Sequence, residues 1–569
     1  MSVDPDALEQ TCRNAIGVLL DARDRRGVWT GKLSASALST AVSIFALHLV
    51  GDHEQLVSAG RDWLLANRNA DGGWGDTVDS LSNISTTTLC HAALHAVNVD
   101  DTTSRAWLTS QVGNLTPDTW SRAIADRYGE DRTFSVPILT MAALSGVLGD
   151  DGFRYVSQLP FELAAFPRQW FSKLRLSVVS YALPALIAIG QVRHQRRPTS
   201  NPIARLLRSA VRHRTLDILR AIQPESGGYL EATPLTGFVV MSLVAAGLKA
   251  HPVVRDGASF LADSFRDDGS VPIDTNLATW VTTLSVNALA QIPEGVNAMD
   301  TEAIFKWIID QQYRVHHPYT DSPPGGFAWT DLSGGVPDAD DTSGALLALH
   351  ALNCGDIGAI ESGISWLLNL QNRDGGIPTF CRGWGRLPFD RSSTDITAHA
   401  LRSWHAWQEQ VSSQLQSRIT NASSRAVGYL ESQQYQDGSW RPLWFGNERH
   451  PESANLTYGT ARVVLGLPET SPARQLGLLW LLKTQNPDGG WGGDRGIAST
   501  IEETAVSVRA LPRDHEAVKR GVRWLIEHTE RGQNFPASPI GFYFANLWYS
   551  EKLYPLIWTV EALQHFANE

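Results

Sequence analysis

The residues whose types and spacing could do chemistry in this chain are mostly carboxylates. In GGVPDADDTSGALLALH (334–350), Asp338, Asp340 and Asp341 fall within four positions. Carboxylates this close repel one another, so at least one is expected to hold its proton at neutral pH. A carboxylic acid poised in that way is a general acid. The same residues also suit a helix N-terminus, since Asp341-Thr342 precedes an apolar helical run, or a divalent-metal site. Further on, FDRSSTDITAHALRS (389–403) carries Asp395 and His399 at i, i+4, hence on one helix face. Read alone, His399 also fits a hydrogen-bonded core histidine.

Other chemistries lack their residues. No Asp-Asp-x-x-Asp occurs, because neither Asp100-Asp101 nor Asp267-Asp268 has an Asp three residues on. Metal-assisted ionisation of a diphosphate is therefore not expected. No Gly-rich dinucleotide or phosphate loop and no His-Glu-x-x-His is found. The four cysteines have no paired spacing, which argues against a disulfide framework or a zinc site and fits a reducing compartment. The 569 residues hold 48 Lys plus Arg against 59 Asp plus Glu, and this acidic balance of −11 argues against a nucleic-acid partner. Apolar content of 43% with 19% charged residues reads as globular. Twenty Trp beside four Met suit a core or cavity built from fixed rings.

The elements that must position these groups form a repeat. AGRDWLLANRNADGGWGD (59–76), SGISWLLNLQNRDGGIPT (362–379), RAVGYLESQQYQDGSWRP (425–442) and LGLLWLLKTQNPDGGWGG (476–493) are its clearest copies. In each, apolar residues at helical spacing, such as Trp63, Leu64 and Leu65, precede an Asp-Gly turn. A second periodic segment follows, as in STTTLCHAALHAV (85–97). Helix–loop–helix units repeated along a chain, without convincing period-2 alternation, predict an all-α fold of α/α barrels or an α-solenoid.

Repeated Q-x-x-D-G-x-W loops on helix pairs resemble the squalene-hopene and oxidosqualene cyclase family of class II terpene cyclases, over almost the whole chain. PGGFAWTDLSGGVPDADDT resembles that family's protonation motif, and DITAH its D-x-T-A-H. The resemblance implies two α/α barrels, one from 36–295 and a catalytic one from 1–35 plus 296–569. It implies that Asp340 protonates an alkene or epoxide while Asp338 and Asp341 tune it. It further implies that His399, held by Asp395, stabilises as an imidazolium the carboxylate left behind. Trp280, Trp329, Phe380, Trp444 and Phe542 stand where the family places cavity aromatics, whose faces stabilise carbocations. Val281 and Ser538 depart from the family's Asp and aromatic. The expected activity is conversion of squalene, or a related linear isoprenoid, to a polycycle, with no cofactor and no metal. A cyclase of C15–C20 prenyl diphosphates is the alternative. A zinc prenyltransferase subunit or a thioester-type α/α-barrel binding module would have no reason to carry both acid motifs.

Between Leu163 and Leu216 there are ten Lys or Arg and no Asp or Glu. With the apolar run 178–190, too short for the roughly 18–20 residues of a membrane span, this segment reads either as a solvated basic face or as a lipid-facing surface. The family's monotopic habit implies the second, with exposed Trp170 and Phe171. No signal peptide is read at the N-terminus, and the expected location is the cytoplasmic side of the cell membrane. A homodimer is compatible with the resemblance.

Overall fold

The structure is a computed structural model. It describes residues 3–567 apart from 130–131, 168–169, 171–181, 354, 381–388 and 543–545, and the side chain of Phe542 also lies outside the description.

Helices dominate because their sequences fall into two kinds. Segments rich in small and apolar residues on every side form inner helices. Ala339–Ala351, for example, buries Ala339, Thr342, Ser343, Gly344, Ala345, Leu346, Ala348 and Leu349, which leaves only His350, near its C-terminal end, exposed. Amphipathic segments form outer helices. Glu516–His528 buries Ala517, Val518, Gly521, Val522, Trp524 and Leu525, one stripe at helical spacing.

Six inner helices close a ring in which each packs on the next: Ala278–Leu289, Ala339–Ala351, Thr394–Trp407, Leu456–Gly466, Ile501–Ala510 and Tyr554–Ala567, the last returning to the first. Outer helices cover them, including Pro5–Asp21, which lies against Tyr554–Ala567. A second ring comprises Ala37–Val50, Ile84–Ala96, Arg132–Leu144, Leu183–Arg196 and Thr233–Ala245. Each ring has its own core. The helix Ala278–Leu289, expected in the 36–295 barrel, instead closes the ring carrying the acid motifs. Its buried Trp280, Val281, Leu284 and Leu289 belong to that core, so the change of barrel comes before residue 278. Among the described residues, the one small sheet pairs Ile540–Phe542 with Leu547–Tyr549, antiparallel, with Phe542 opposite Leu547.

The repeated loops act as bolts. At 485–491, Gln485 Nε2 donates to the carbonyls of Gly489 (2.7 Å) and Ala517 (2.8 Å). Asp488 accepts from the Gly490 N–H (3.0 Å) and from Trp524 Nε1 (3.2 Å). The buried Trp491 indole donates to the Leu481 carbonyl at 2.8 Å. Gly489 turns the chain at φ +97°, where a side chain would be strained. One loop thus ties an outer helix, the inner helix that follows and the next outer helix. Gln371 and Gln434 make the same pair of bonds in their own loops.

Candidate active site

Asp338 is the N-cap of the inner helix Ala339–Ala351. Its Oδ1 accepts the backbone N–H groups of Asp340 and Asp341, both at 2.8 Å. The capping reading of the acidic cluster is therefore correct for Asp338, and the cap releases Asp340 to project from the first turn. Thr342 secures the turn in front, accepting the Phe327 N–H at 3.0 Å while donating to the Asp338 carbonyl.

The neighbouring inner helix Thr394–Trp407 presents His399, whose Nδ1 lies 2.6 Å from Asp340 Oδ1. Two motifs far apart in the chain thus meet because their helices are adjacent in the ring. Asp395 is not seated on His399. It accepts the Ser393 hydroxyl and the Leu443 N–H at 3.2 Å, so it ties the start of its own helix to the segment before Trp444. Among the described residues, no three His, Cys, Asp or Glu side chains converge as a metal site requires.

Burial sets the electrostatics. It raises the Asp338 carboxyl to about 7. Burial, then the neighbouring Asp338 and Asp340 charges, push Asp341 well above the usual carboxylate range. Asp395 rises to about 6, again chiefly through burial. His399 moves the other way: burial lowers it, Asp340 opposes that, and Arg402 and Arg462 reinforce it. The imidazolium expected at this position is therefore disfavoured in the resting protein.

Asp340 forms part of the lining of two spaces. On one side is an apolar cavity of about 210 Å³, lined by Trp280, Trp329, Phe380, Phe389, Trp444, Phe445, Tyr549 and Tyr554 among others. On the other is a polar chamber of about 30 Å³ bounded by His399, Arg402, Tyr458, Arg462 and Glu561. Four of the five expected aromatics, Trp280, Trp329, Phe380 and Trp444, line the cavity; the Phe542 side chain lies outside the described residues. Rings contact one another along the wall: Trp329–Phe380 at 6.2 Å, Phe380–Trp444 at 6.1 Å and Phe389–Trp444 at 5.6 Å between centroids. Their polar edges are tied back, Trp280 Nε1 to the Tyr554 hydroxyl (3.0 Å) and Trp444 Nε1 to Thr379 Oγ1 (3.1 Å). This leaves ring faces available to the cavity. Phe389, Phe445, Tyr549 and Tyr554 were not singled out from the sequence. The aromatic crowding of GFYFANLW (541–548) and the following YSEKLY (549–554) was the available signal for the last two.

The apolar space continues. Leu230, Ala232, Asp274, Leu277, Phe389 and Tyr549 border both this cavity and a second of about 260 Å³, which reaches Phe134, Pro137 and Phe238 on the other barrel. No Lys, Arg or His occurs among its described lining residues.

This arrangement has known counterparts. The family profile Squalene-hopene cyclase N-terminal domain matches residues 12–110, and Squalene-hopene cyclase C-terminal domain matches 277–557. Enfumafungin synthase efuA from Hormonema carpetanum is 26% identical over 95% of this chain and 47% of its own length. A squalene–hopene cyclase from Bradyrhizobium diazoefficiens is 27% identical over 51% of this chain and 49% of its own. The chain spans about half the length of these curated relatives. Among solved structures, ent-copalyl diphosphate synthase from Streptomyces platensis shares the fold, with a TM-score of 0.59 at 19% identity over 99% of this chain and all of that one. With two barrels, an acid in the wall of an aromatic-rich cavity, and both domain profiles matched in order, the chain belongs to the squalene-hopene cyclase family of class II terpene cyclases.

Proposed function

We propose that the protein cyclises a linear isoprenoid, squalene in the first instance, by protonation. The observation that carries this is the position of Asp340, bonded to His399 and set in the wall of an aromatic-rich cavity that Asp274, Asp338 and Asp341 also border. Its proton passes to a terminal alkene carbon, the π pair forming the new C–H bond. Positive charge then migrates as successive double bonds close rings over Trp280, Trp329, Phe380 and Trp444. Loss of a proton or capture of water ends the sequence. Aromatic faces stabilise the cation by their quadrupole without adding to it.

A hydrocarbon fits the second chamber better than a prenyl diphosphate. A diphosphate needs converging cations, and the described lining supplies none. The arginines between 193 and 214 favour the diphosphate reading only if they reach the cavity mouth. Several are engaged elsewhere, Arg197 with Asp151 and Arg208 with Glu162. Incubation with squalene and, separately, with C15–C20 prenyl diphosphates, each with and without EDTA, is expected to give a polycycle from squalene that survives chelation. Turnover of a prenyl diphosphate alone, lost with EDTA, would reverse the assignment.

A membrane-facing role for 163–216 is part of this proposal, because squalene resides in lipid. Its support is the helix Pro202–Ala221, where Ile203 and Leu206 are 78% and 73% exposed beside Arg205, together with exposed Phe166 and Trp170. Among the described residues, no helix is long and apolar enough to cross a membrane. Changing both Ile203 and Leu206 to Glu should reduce co-sedimentation with anionic vesicles at least fivefold, since apolar insertion and electrostatic attraction are both weakened. Unchanged binding would assign this helix to solvent.

A further inference from the structure

Asp340 faces more positive charge than its imidazole partner supplies. The small chamber behind it brings together side chains from five inner helices. Trp280 and Asn287 come from Ala278–Leu289, and Asp340 itself from Ala339–Ala351. Asp395, His399 and Arg402 come from Thr394–Trp407, Tyr458 and Arg462 from Leu456–Gly466, and Glu561 from Tyr554–Ala567. On the sixth, Arg509 Nε stands 3.3 Å from Glu561 Oε1. Asp338 and Asp341 flank Asp340 on its own helix. Burial lowers Arg402 only to about 10, so it is charged at neutral pH. Burial also acts against the charge of Arg462, but Tyr458, Glu561 and Asp340 hold its guanidinium above the ordinary value. Arg462 also stacks over the Tyr458 and Trp558 rings, 5.0 and 5.4 Å from their centroids.

The charges can be counted. Burial disfavours the Glu561 carboxylate, but Arg509, Arg462 and Arg402 outweigh that and hold it below the usual range, so it is ionised. Glu561 offsets one of the three arginines. Asp395, whose carboxyl rises only to about 6 and is ionised at neutral pH, offsets a second, so the buried cluster of three arginines and two carboxylates keeps one positive charge in excess out of water, where charges act more strongly. Loss of the Asp340 proton into the cavity relieves that excess.

We propose that Arg402 and Arg462 are positioning residues that form a fixed cationic backing for the carboxylate Asp340 leaves behind, with His399 its neutral hydrogen-bond partner. This rests on Asp340 being the proton donor. An arginine pair keeps its charge at every pH the protein meets, whereas an imidazole in this buried position does not. The chamber is large enough for a single water and too small to admit substrate.

The test is the pH dependence of kcat on squalene. A donor works protonated, so the rate falls as pH rises past its ionisation. Removing a nearby cation makes the carboxylate less favourable and moves that fall to higher pH; removing the anion does the reverse. Arg462→Gln should therefore lower kcat at least tenfold, leave KM within twofold, and shift the alkaline limb upward by at least half a pH unit. Arg462→Lys should restore most of both. Glu561→Gln should shift the limb downward, and it decides the matter by itself if Arg462→Gln fails to fold. A limb that stays in place in the folded variants, with Asp340→Asn inactive, overturns the cationic backing alone. Activity in Asp340→Asn overturns the donor assignment beneath it.

Discussion

Asp340→Asn should reduce turnover by at least about 10²-fold, the lower end of what a positioned general acid contributes, and more if no other acid reaches the alkene. The amide keeps the shape of the carboxyl and can still meet His399 Nδ1, 2.6 Å away in the native protein. It has no proton acidic enough to give to a double bond. Asp338 cannot take over, since its carboxylate is committed to two backbone N–H groups as the cap. Asp341 also borders the cavity, but burial pushes its carboxyl well above the usual range, which makes it a weaker acid toward an alkene. Stability should change little, because Asp340 caps nothing. Product formation from squalene, measured with circular dichroism as a folding control, decides it: more than a tenth of native turnover in the folded variant would remove Asp340 from the donor role.

The largest expected effect on stability is at a loop bolt. Trp491→Ala should destabilise the catalytic barrel by about 3–5 kcal/mol, the range for removing a large buried aromatic side chain. The indole is fully buried and bonded to the Leu481 carbonyl. Its ring also fills the space against Gly521, where an added Cβ would lie 2.7 Å from it, so the outer helix Glu516–His528 has no side chain to close the gap. A fall in the chemical-denaturation midpoint of the transition that includes this barrel is the readout. A shift equivalent to less than 1 kcal/mol would mean that the loops merely end helices.

That distinction was only partly legible in the sequence. The Asp-Gly turns and helical periodicity were sufficient for an all-α repeat. The double role of each Gln, which bonds its own loop and the next outer helix, depends on helices that meet only in three dimensions. The assignment of Ala278–Leu289 shows a similar limit: its periodicity is that of an inner helix in either barrel, and only packing against Ala339–Ala351 and Tyr554–Ala567 selects one. At the site, Asp340 and His399 were readable because each sits in a compact motif. That Asp395 holds His399 was implied by the family resemblance; the i, i+4 spacing puts the two on one face but does not join them, and the Leu443 N–H and Ser393 hydroxyl take the Asp395 oxygen instead. Arg402, Arg462, Arg509 and Glu561 come singly from four helices, so no local pattern marks them as a group.

The position of Pro5–Asp21 bears on how the protein is made. This helix belongs to the barrel that the last helix completes, and Asn14 donates to the Arg531 carbonyl across a separation of 517 residues. At ribosomal speeds of about 5–20 residues per second, the early helix waits roughly 25–100 s for its partner. Throughout that time its Ala15 and Leu19 face has nowhere native to go, while the intervening barrel can already fold. That face is therefore buried only after the final helices have been made, whatever the intrinsic stability of the barrel between.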